Sequence, residues 1–282
     1  MDYEVLAESL VVWLREYARQ AQATGFVVGL SGGIDSATSA ALAVRAVGVE
    51  NVLGVWLPCH SQPEDVAFAR LAAESLGLEP LTVELSATYD TLLAALPLGE
   101  ALGAPAQDNV LGAPAQDNVL GAPAQDMARA NLKPRLRMAT LYYLAQARNA
   151  LVLGTGNRAE MMVGYFTKYG DGGVDLEPLG ELYKHEVRQL ARVLDVPEPL
   201  ITRPPTAGLW PGQTDEGELG ITYDELDTIL AALDAGREPV APPAVVARVR
   251  RMVAASAHKR ALPPVFPVER AGDCRGNPCG SP

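Results

Sequence analysis

Residues 26–36 read FVVGLSGGIDS, and an alanine-rich stretch, ATSAALAVRAVG (37–48), follows at once. FVVGL (26–30) is an apolar run of strand length, and Ser36 to Val47 has the composition of a helix. The turn between them holds two glycines, two serines and an aspartate. A glycine-rich strand-to-helix turn lets the backbone come close to a phosphate, and the free N–H groups of the helix start attract anions. Ser31 and Ser36 add hydroxyl donors. The pattern is neither G-x-x-x-x-G-K-[ST] nor G-x-G-x-x-G. No lysine stands in the turn, and Asp35 would repel a phosphate unless Mg²⁺ lay between them. The alternative is a plain tight turn with a first-turn carboxylate favoured by the helix dipole.

Outward from that turn the chain alternates. Strands are expected at 51–57 (NVLGVWL), 80–85 (PLTVEL) and 150–156 (ALVLGTG), and helices at 65–77, at 88–96, to about Asn149 and from Asn157. An amphipathic helix over 2–23 precedes them. This order predicts an α/β fold, a doubly wound, mostly parallel sheet with helices on both faces and ligands beyond the carboxyl ends of the strands. Pro197, Pro199, Pro204 and Pro205 mark a break, and WPGQTDEGELG (210–220) reads as an exposed, mobile loop. Thr222 and Glu225 form a capping box for a helix through Asp234, and a last helix spans 243–259. The stretch LGAPAQDNV stands at 102–110, again at 111–119, and as LGAPAQD at 120–126. A nine-residue period with a proline in each copy suits an expanded surface loop. The expected organisation is one domain over 1–262 carrying that insertion, with a loose tail over 263–282.

The formal net charge of −11 argues against broad binding to nucleic acid or anionic membrane, so any phosphate ligand must meet a local basic cluster. Three cysteines (Cys59, Cys274, Cys279), no signal-peptide layout and no bilayer-length apolar run point to the cytoplasm. Cys274 and Cys279, with no second pair or histidine nearby, make a poor metal site.

SGGIDS resembles the pyrophosphate loop of the ATP pyrophosphatase (adenine nucleotide alpha hydrolase-like) superfamily, whose members cleave ATP to AMP and pyrophosphate while adenylating an acid or amide-like oxygen. Further blocks narrow the resemblance. NLKPRLRMATLYYLA (131–145), LVLGTGNRAEMMVGYFTKYGDGGVDLEPLGELYKHEVRQLA (151–191), PPTAGLWPGQTDEGELG (204–220) and HKR (258–260) are similar, in order and spacing, to the ammonia-dependent NAD synthetase family. Two departures stand out: Pro134, where the family more often has alanine and where a bend in the helix is expected, and the repeat at 102–126.

The resemblance implies roles residue by residue. Gly29, Leu30, Ser31, Gly32, Gly33, Ile34, Asp35 and Ser36 would hold the ATP phosphates, with Thr155, Lys184 and Thr206 also on ATP. Asp35 and Glu160 would be Mg²⁺ ligands, and Asp35 and Lys184 the catalytic pair, the lysine neutralising charge on the reacting phosphorus and the departing pyrophosphate. Arg135, Lys168, Asp175, His258 and Lys259 would bind deamido-NAD. Each has a plainer reading: Glu160 as a solvated helix carboxylate, Lys184 as a snorkelling side chain, the others as surface charges.

The expected reaction is amidation of deamido-NAD with ammonia through an adenylated nicotinate, giving NAD, AMP and pyrophosphate. About 25 residues precede the first strand, so no glutaminase domain is expected in the chain. Family members are typically homodimers, and the amino-terminal helix is the candidate contact. The alternatives are another adenylating enzyme of the superfamily, such as a tRNA-modifying one, and a non-catalytic ATP-binding module. The negative charge opposes the first, and the second would need the loop without Glu160 or Lys184.

Overall fold

In a computed structural model of the chain, residues 1–96, 124–210 and 212–267 are described. The 102–123 part of the repeat and the tail with Cys274 and Cys279 lie outside them; Cys59 is buried and free.

Among the described residues, four parallel strands form one sheet: β1 (Phe26–Gly29), β2 (Val52–Trp56), β3 (Leu81–Thr82) and β4 (Leu151–Leu153), in the order β3-β2-β1-β4. Phe26 pairs with Val52 on one side and with Leu151 on the other. The chain winds from β1 outward to β3, then returns to place β4 against the opposite edge of β1. That reversal puts a crevice at the carboxyl ends of β1 and β4, where the SGGIDS turn opens.

Alternation along the strands loads both faces. Phe26, Val28 and Leu30 join one cluster with α1 (Tyr3–Gln20), α2 (Ile34–Val47), α3 (Pro63–Ser75) and α8 (Lys184–Val193). Val27, Val55 and Val152 face the other way, against Tyr89 of α4 (Ser86–Ala95) and Ala145 of α6 (Leu132–Arg148). A third cluster joins α7 (Arg158–Val163), α11 (Tyr223–Asp234) and α12 (Pro243–Ala255). The short α5 (Ala124–Ala130), α9 (Glu198–Thr202) and α10 (Asp215–Leu219) complete the described helices.

The caps explain several boundaries. The Asp2 carboxylate accepts from Glu4 N–H (3.1 Å) and Val5 N–H (3.2 Å), which starts α1. Thr222 and Glu225 cap α11 reciprocally, as the sequence indicates.

Other expectations need correction. The strand over 80–85 shrinks to two residues, although Val83 N–H and Leu85 N–H still reach the carbonyls of Trp56 (2.9 Å) and Pro58 (2.8 Å). β4 ends at Leu153, because Gly154 N–H turns to the carbonyl of Leu176 (2.8 Å). The helix after the turn starts at Ile34, so Asp35 and Ser36 belong to its first turn. The helical segment leading to Asn149 divides at Asn131, and the last helix ends at Ala255 before a single 3-10 turn, Ala257–Lys259. Pro134 therefore sits in the first turn of α6, where an N–H has no partner within that helix. The 210–220 segment is not an exposed loop. Among its described residues, Asp215–Leu219 is helical and Gln213, Asp215 and Leu219 are buried.

Candidate active site

The turn after β1 is tied from within. Ser36 Oγ accepts from Ser31 N–H (3.2 Å), lies 3.0 Å from Ser31 Oγ, and donates to the carbonyl of Gly33 (3.0 Å). Ser31 Oγ accepts from Gly33 N–H (3.2 Å). Both serines thus shape the loop as well as lining the cleft. Gly32 has φ +79°, and a Cβ there would lie 2.8 Å from Phe68 Cβ and 2.9 Å from Ala69 N, so a side chain is excluded twice over. Gly33 caps α2 without a side-chain hydrogen bond, leaving the first-turn N–H groups open to an anion. Arg203 clamps the turn from outside, donating to the carbonyl of Gly32 (3.0 Å) and to Asp65 Oδ1 (2.6 Å).

Three charged side chains from three elements converge beside this turn. Lys184, at the first position of α8 and 1% exposed, is hydrogen-bonded to Asp35 Oδ2, and its Nζ lies 3.7 Å from Glu160 Oε1. Burial alone would lower the lysine, but Asp35 and Glu160 outweigh it and hold the ammonium charged, its pKa above the ordinary range. Glu160 is the third residue of α7. Its Oε2 accepts from Asn157 N–H (3.1 Å) in a capping box, while Asn157 Oδ1 accepts from Glu160 N–H (3.0 Å). Asn157 also donates to Asp35 Oδ1 (3.3 Å), so it touches both carboxylates.

Behind the three charges stands a group of side chains that sequence reasoning missed. Tyr223 contacts Glu160 Oε1 and Asp215 Oδ2, each at 3.1 Å. Tyr165 donates to Asp215 Oδ1 (3.1 Å) and also contacts Glu218. The Tyr223 hydroxyl thus stands between the two carboxyl groups. Burial first, and then the charge of Asp35, push the Glu160 carboxyl upward. The DEGEL stretch carries no pattern that separates buried from exposed acids, so nothing in the sequence marks Asp215.

The crevice broadens into a cleft of about 1020 Å³. Gly29, Leu30, Ser31, Gly33, Ile34, Asp35 and Ser36 line it, together with Thr155, Glu160, Lys184 and Thr206. Arg135, Lys168, His258 and Lys259 line it too. Gly32 is covered by Phe68 and Ala69 and contributes backbone only. The basic residues form a connected edge: Arg135 donates to the Lys168 carbonyl (3.4 Å) and Lys168 Nζ to the His258 carbonyl (2.6 Å). Lys259 Nζ donates to the carbonyls of Gly164 (2.8 Å) and Phe166 (2.9 Å), and burial lowers its pKa. Asp175 stands apart from this group. Its carboxylate accepts from Val152 N–H (2.7 Å) and from the Tyr142 hydroxyl (3.1 Å), beside β4 and outside the cleft lining. Thr155 sits in a turn braced by Glu177, whose Oε2 accepts from Gly156 N–H (3.0 Å). A Cβ on Gly154 would lie 2.2 Å from the same oxygen, so a side chain there would displace the Glu177 carboxylate.

Among the described residues no group of three or more His, Cys, Asp or Glu gathers as a metal site. Asp35 and Glu160 offer two hard oxygen ligands on either side of one ammonium. That donor set fits Mg²⁺, which keeps several waters and commonly takes one or two carboxylates plus substrate phosphate oxygens.

The model of the NAD synthase family matches residues 6–263. The NH3-dependent NAD+ synthetase of Carboxydothermus hydrogenoformans is 45% identical over 265 residues, covering 94% of this chain and 98% of that protein. Among solved structures, an NMN synthetase from Francisella tularensis superposes with a TM-score of 0.77 at 35% identity, covering 94% of this chain and all of that one (100%). An NH3-dependent NAD synthetase from Campylobacter jejuni superposes with a TM-score of 0.74 at 26% identity, over 95% of this chain and 100% of that one.

Proposed function

The chain belongs to the NAD synthase family, and from that premise we propose how its cleft carries out the family's chemistry. It is an ammonia-dependent carbon–nitrogen ligase. It amidates deamido-NAD with ammonia, using ATP as co-substrate and releasing AMP and pyrophosphate. The observation that carries the residue assignment is the meeting of Asp35, Glu160 and Lys184 at the crevice between β1 and β4.

A carboxylate is a poor acyl donor at neutral pH, and adenylation supplies the leaving group. The SGGIDS turn receives the ATP phosphates on open backbone N–H groups at the start of α2, with Thr155 and Thr206 contributing hydroxyls from the cleft walls. Asp35 and Glu160 would hold Mg²⁺, which when bound neutralises phosphate charge. Lys184, kept charged by its two carboxylate neighbours, offsets the negative charge that grows on the reacting phosphorus and the departing pyrophosphate. Arg135, Lys168, His258 and Lys259 receive the second nucleotide, orienting its nicotinate carboxylate toward the α-phosphorus. Ammonia then displaces AMP, and the excess proton leaves with solvent.

Asp175 is proposed to act with deamido-NAD from the outer side of β4, at a site extended by a second copy of the chain. Its exposure beside Tyr142, and the outward Val12 and Trp13 on α1, support a homodimer. No helix among the described residues is long and apolar enough to cross a membrane, and the few cysteines support a cytoplasmic enzyme.

The test is direct. Protein, Mg-ATP, ammonium and either deamido-NAD or nicotinate mononucleotide are mixed, and amide product and AMP are followed. NAD formation with stoichiometric AMP is expected. Similarity to an NMN synthetase makes the mononucleotide the informative second acceptor, and amidation of it alone would reassign the substrate. Absence of both amides would end the reading.

A further inference from the structure

Tyr223 is fully buried at the start of α11, and its packing against Leu226, Ile229 and Leu230 would be served equally by phenylalanine. The hydroxyl is what needs an account. The ring lies 4.9 Å from Lys184 Nζ, and the hydroxyl lies 3.1 Å from Glu160 Oε1. One side chain therefore touches both the ammonium and a carboxylate of the reactive cluster. Its hydroxyl is held in turn by Asp215, 4% exposed, whose other oxygen accepts from Tyr165 (3.1 Å). Glu160 has need of such a partner. The torsion at the end of a glutamate is soft. The capping box fixes Oε2 through Asn157, which leaves Oε1 to be aimed by Tyr223.

We propose that Tyr223 and Asp215 are positioning residues for the reaction: Asp215 orients the Tyr223 hydroxyl, and Tyr223 aims Glu160 Oε1 into the cleft while seating Lys184 over its ring. The inference rests on the reading of Glu160 as a metal ligand given above. It adds that the 213–218 segment, through Asp215, sets the geometry of residues on α7 and α8. Partners of this kind, one bond removed from a metal ligand, typically change metal affinity or activity about 10- to 100-fold when removed.

The experiment uses the full chain and Mn²⁺ as the probe, titrated by electron paramagnetic resonance in the presence of a non-hydrolysable ATP analogue. Steady-state kcat and KM are measured alongside. Tyr223→Phe keeps the ring and removes one oxygen. It should weaken Mn²⁺ binding about tenfold or more and lower kcat, with KM for deamido-NAD within about twofold of wild type. Asp215→Ala should do the same, and Asp215→Asn, which can still hydrogen-bond both tyrosines, should recover most of the lost Mn²⁺ affinity. Should Asp215→Ala fail to fold, Tyr223→Phe decides alone. Mn²⁺ affinity and kcat unchanged in Tyr223→Phe would overturn the proposal, as would an equal loss of deamido-NAD affinity, which marks general damage. A wild-type protein that binds no Mn²⁺ with the analogue would instead remove the metal assignment of Glu160, and this inference with it.

Discussion

Replacing Lys184 by methionine tests the reactive cluster through stability as well as rate. Methionine fills nearly the same space and deletes the charge. The Lys184 side chain is 2% exposed and its Nζ lies 3.7 Å from Glu160 Oε1, with the Asp35 bond in addition. At an effective dielectric of about 20, the Glu160 attraction alone is about 4 kcal/mol before desolvation is counted. What the substitution leaves matters more: two carboxylates in a pocket with no cation. Breaking a buried pair in this way costs about 3–5 kcal/mol. In a chain of this size that lowers Tm by roughly 10 °C. A divalent cation can take the place of the missing ammonium, so Mg²⁺ should return part of the loss and stabilise Lys184→Met more than wild type. Urea unfolding with EDTA and with Mg²⁺ measures both effects. Amide formation should fall about 10²- to 10³-fold, the scale for removing one preorganised charge-stabilising group. A variant within about 1 kcal/mol of wild type, with the same response to Mg²⁺, would refute the view that Lys184 balances the two carboxylates.

Two further outcomes follow from individual residues. Gly32 and Gly77 both have positive φ (+79° and +67°), but a Cβ at Gly77 meets nothing within 4 Å while one at Gly32 meets Phe68 and Ala69 below 3 Å. Gly77→Ala should therefore cost about 1 kcal/mol in a melt and leave the rate alone, whereas Gly32→Ala should raise KM for ATP sharply; similar behaviour of the two would contradict the assigned loop geometry. Burial raises the Glu177 carboxyl from 4.5 to about 8, against the hydrogen bond from Gly156. A carboxyl raised on folding contributes stability that is present below its unfolded value and is lost as pH climbs through the folded one. At about 1.4 kcal/mol per tenfold this amounts to at most about 5 kcal/mol, reduced by local relaxation. Wild type should lose stability between about pH 5 and 8, and Glu177→Gln should show a flatter profile; parallel profiles in urea titrations would count against the buried carboxyl.

The elements of the turn were legible because their causes are short-ranged. A buried strand, two glycines and the start of a helix lie within eleven consecutive residues, and the turn between them takes φ +79° at Gly32, a torsion glycine adopts freely. Alternation of apolar strands with helices predicts the parallel sheet for the same reason. The capping box at Thr222 is a spacing of three residues. The resemblance of ordered blocks named Asp35, Glu160 and Lys184, but no local pattern says that they touch.

Tertiary structure alone decided which groups each charge meets. Lys184 and Asp35 are 149 residues apart in sequence, and their bond exists because α8 packs on α2 across one face of the sheet. Asp215 lies in a stretch as acidic as any solvent-facing loop, yet packing turned it inward between Tyr165 and Tyr223. Asp175 reads from sequence as one more nucleotide contact, while the fold ties both its oxygens beside β4. Local sequence governs backbone torsions and periodicity. Which polar groups lose their water, and which partner replaces it, depends on contacts between elements that the chain brings together only when it closes.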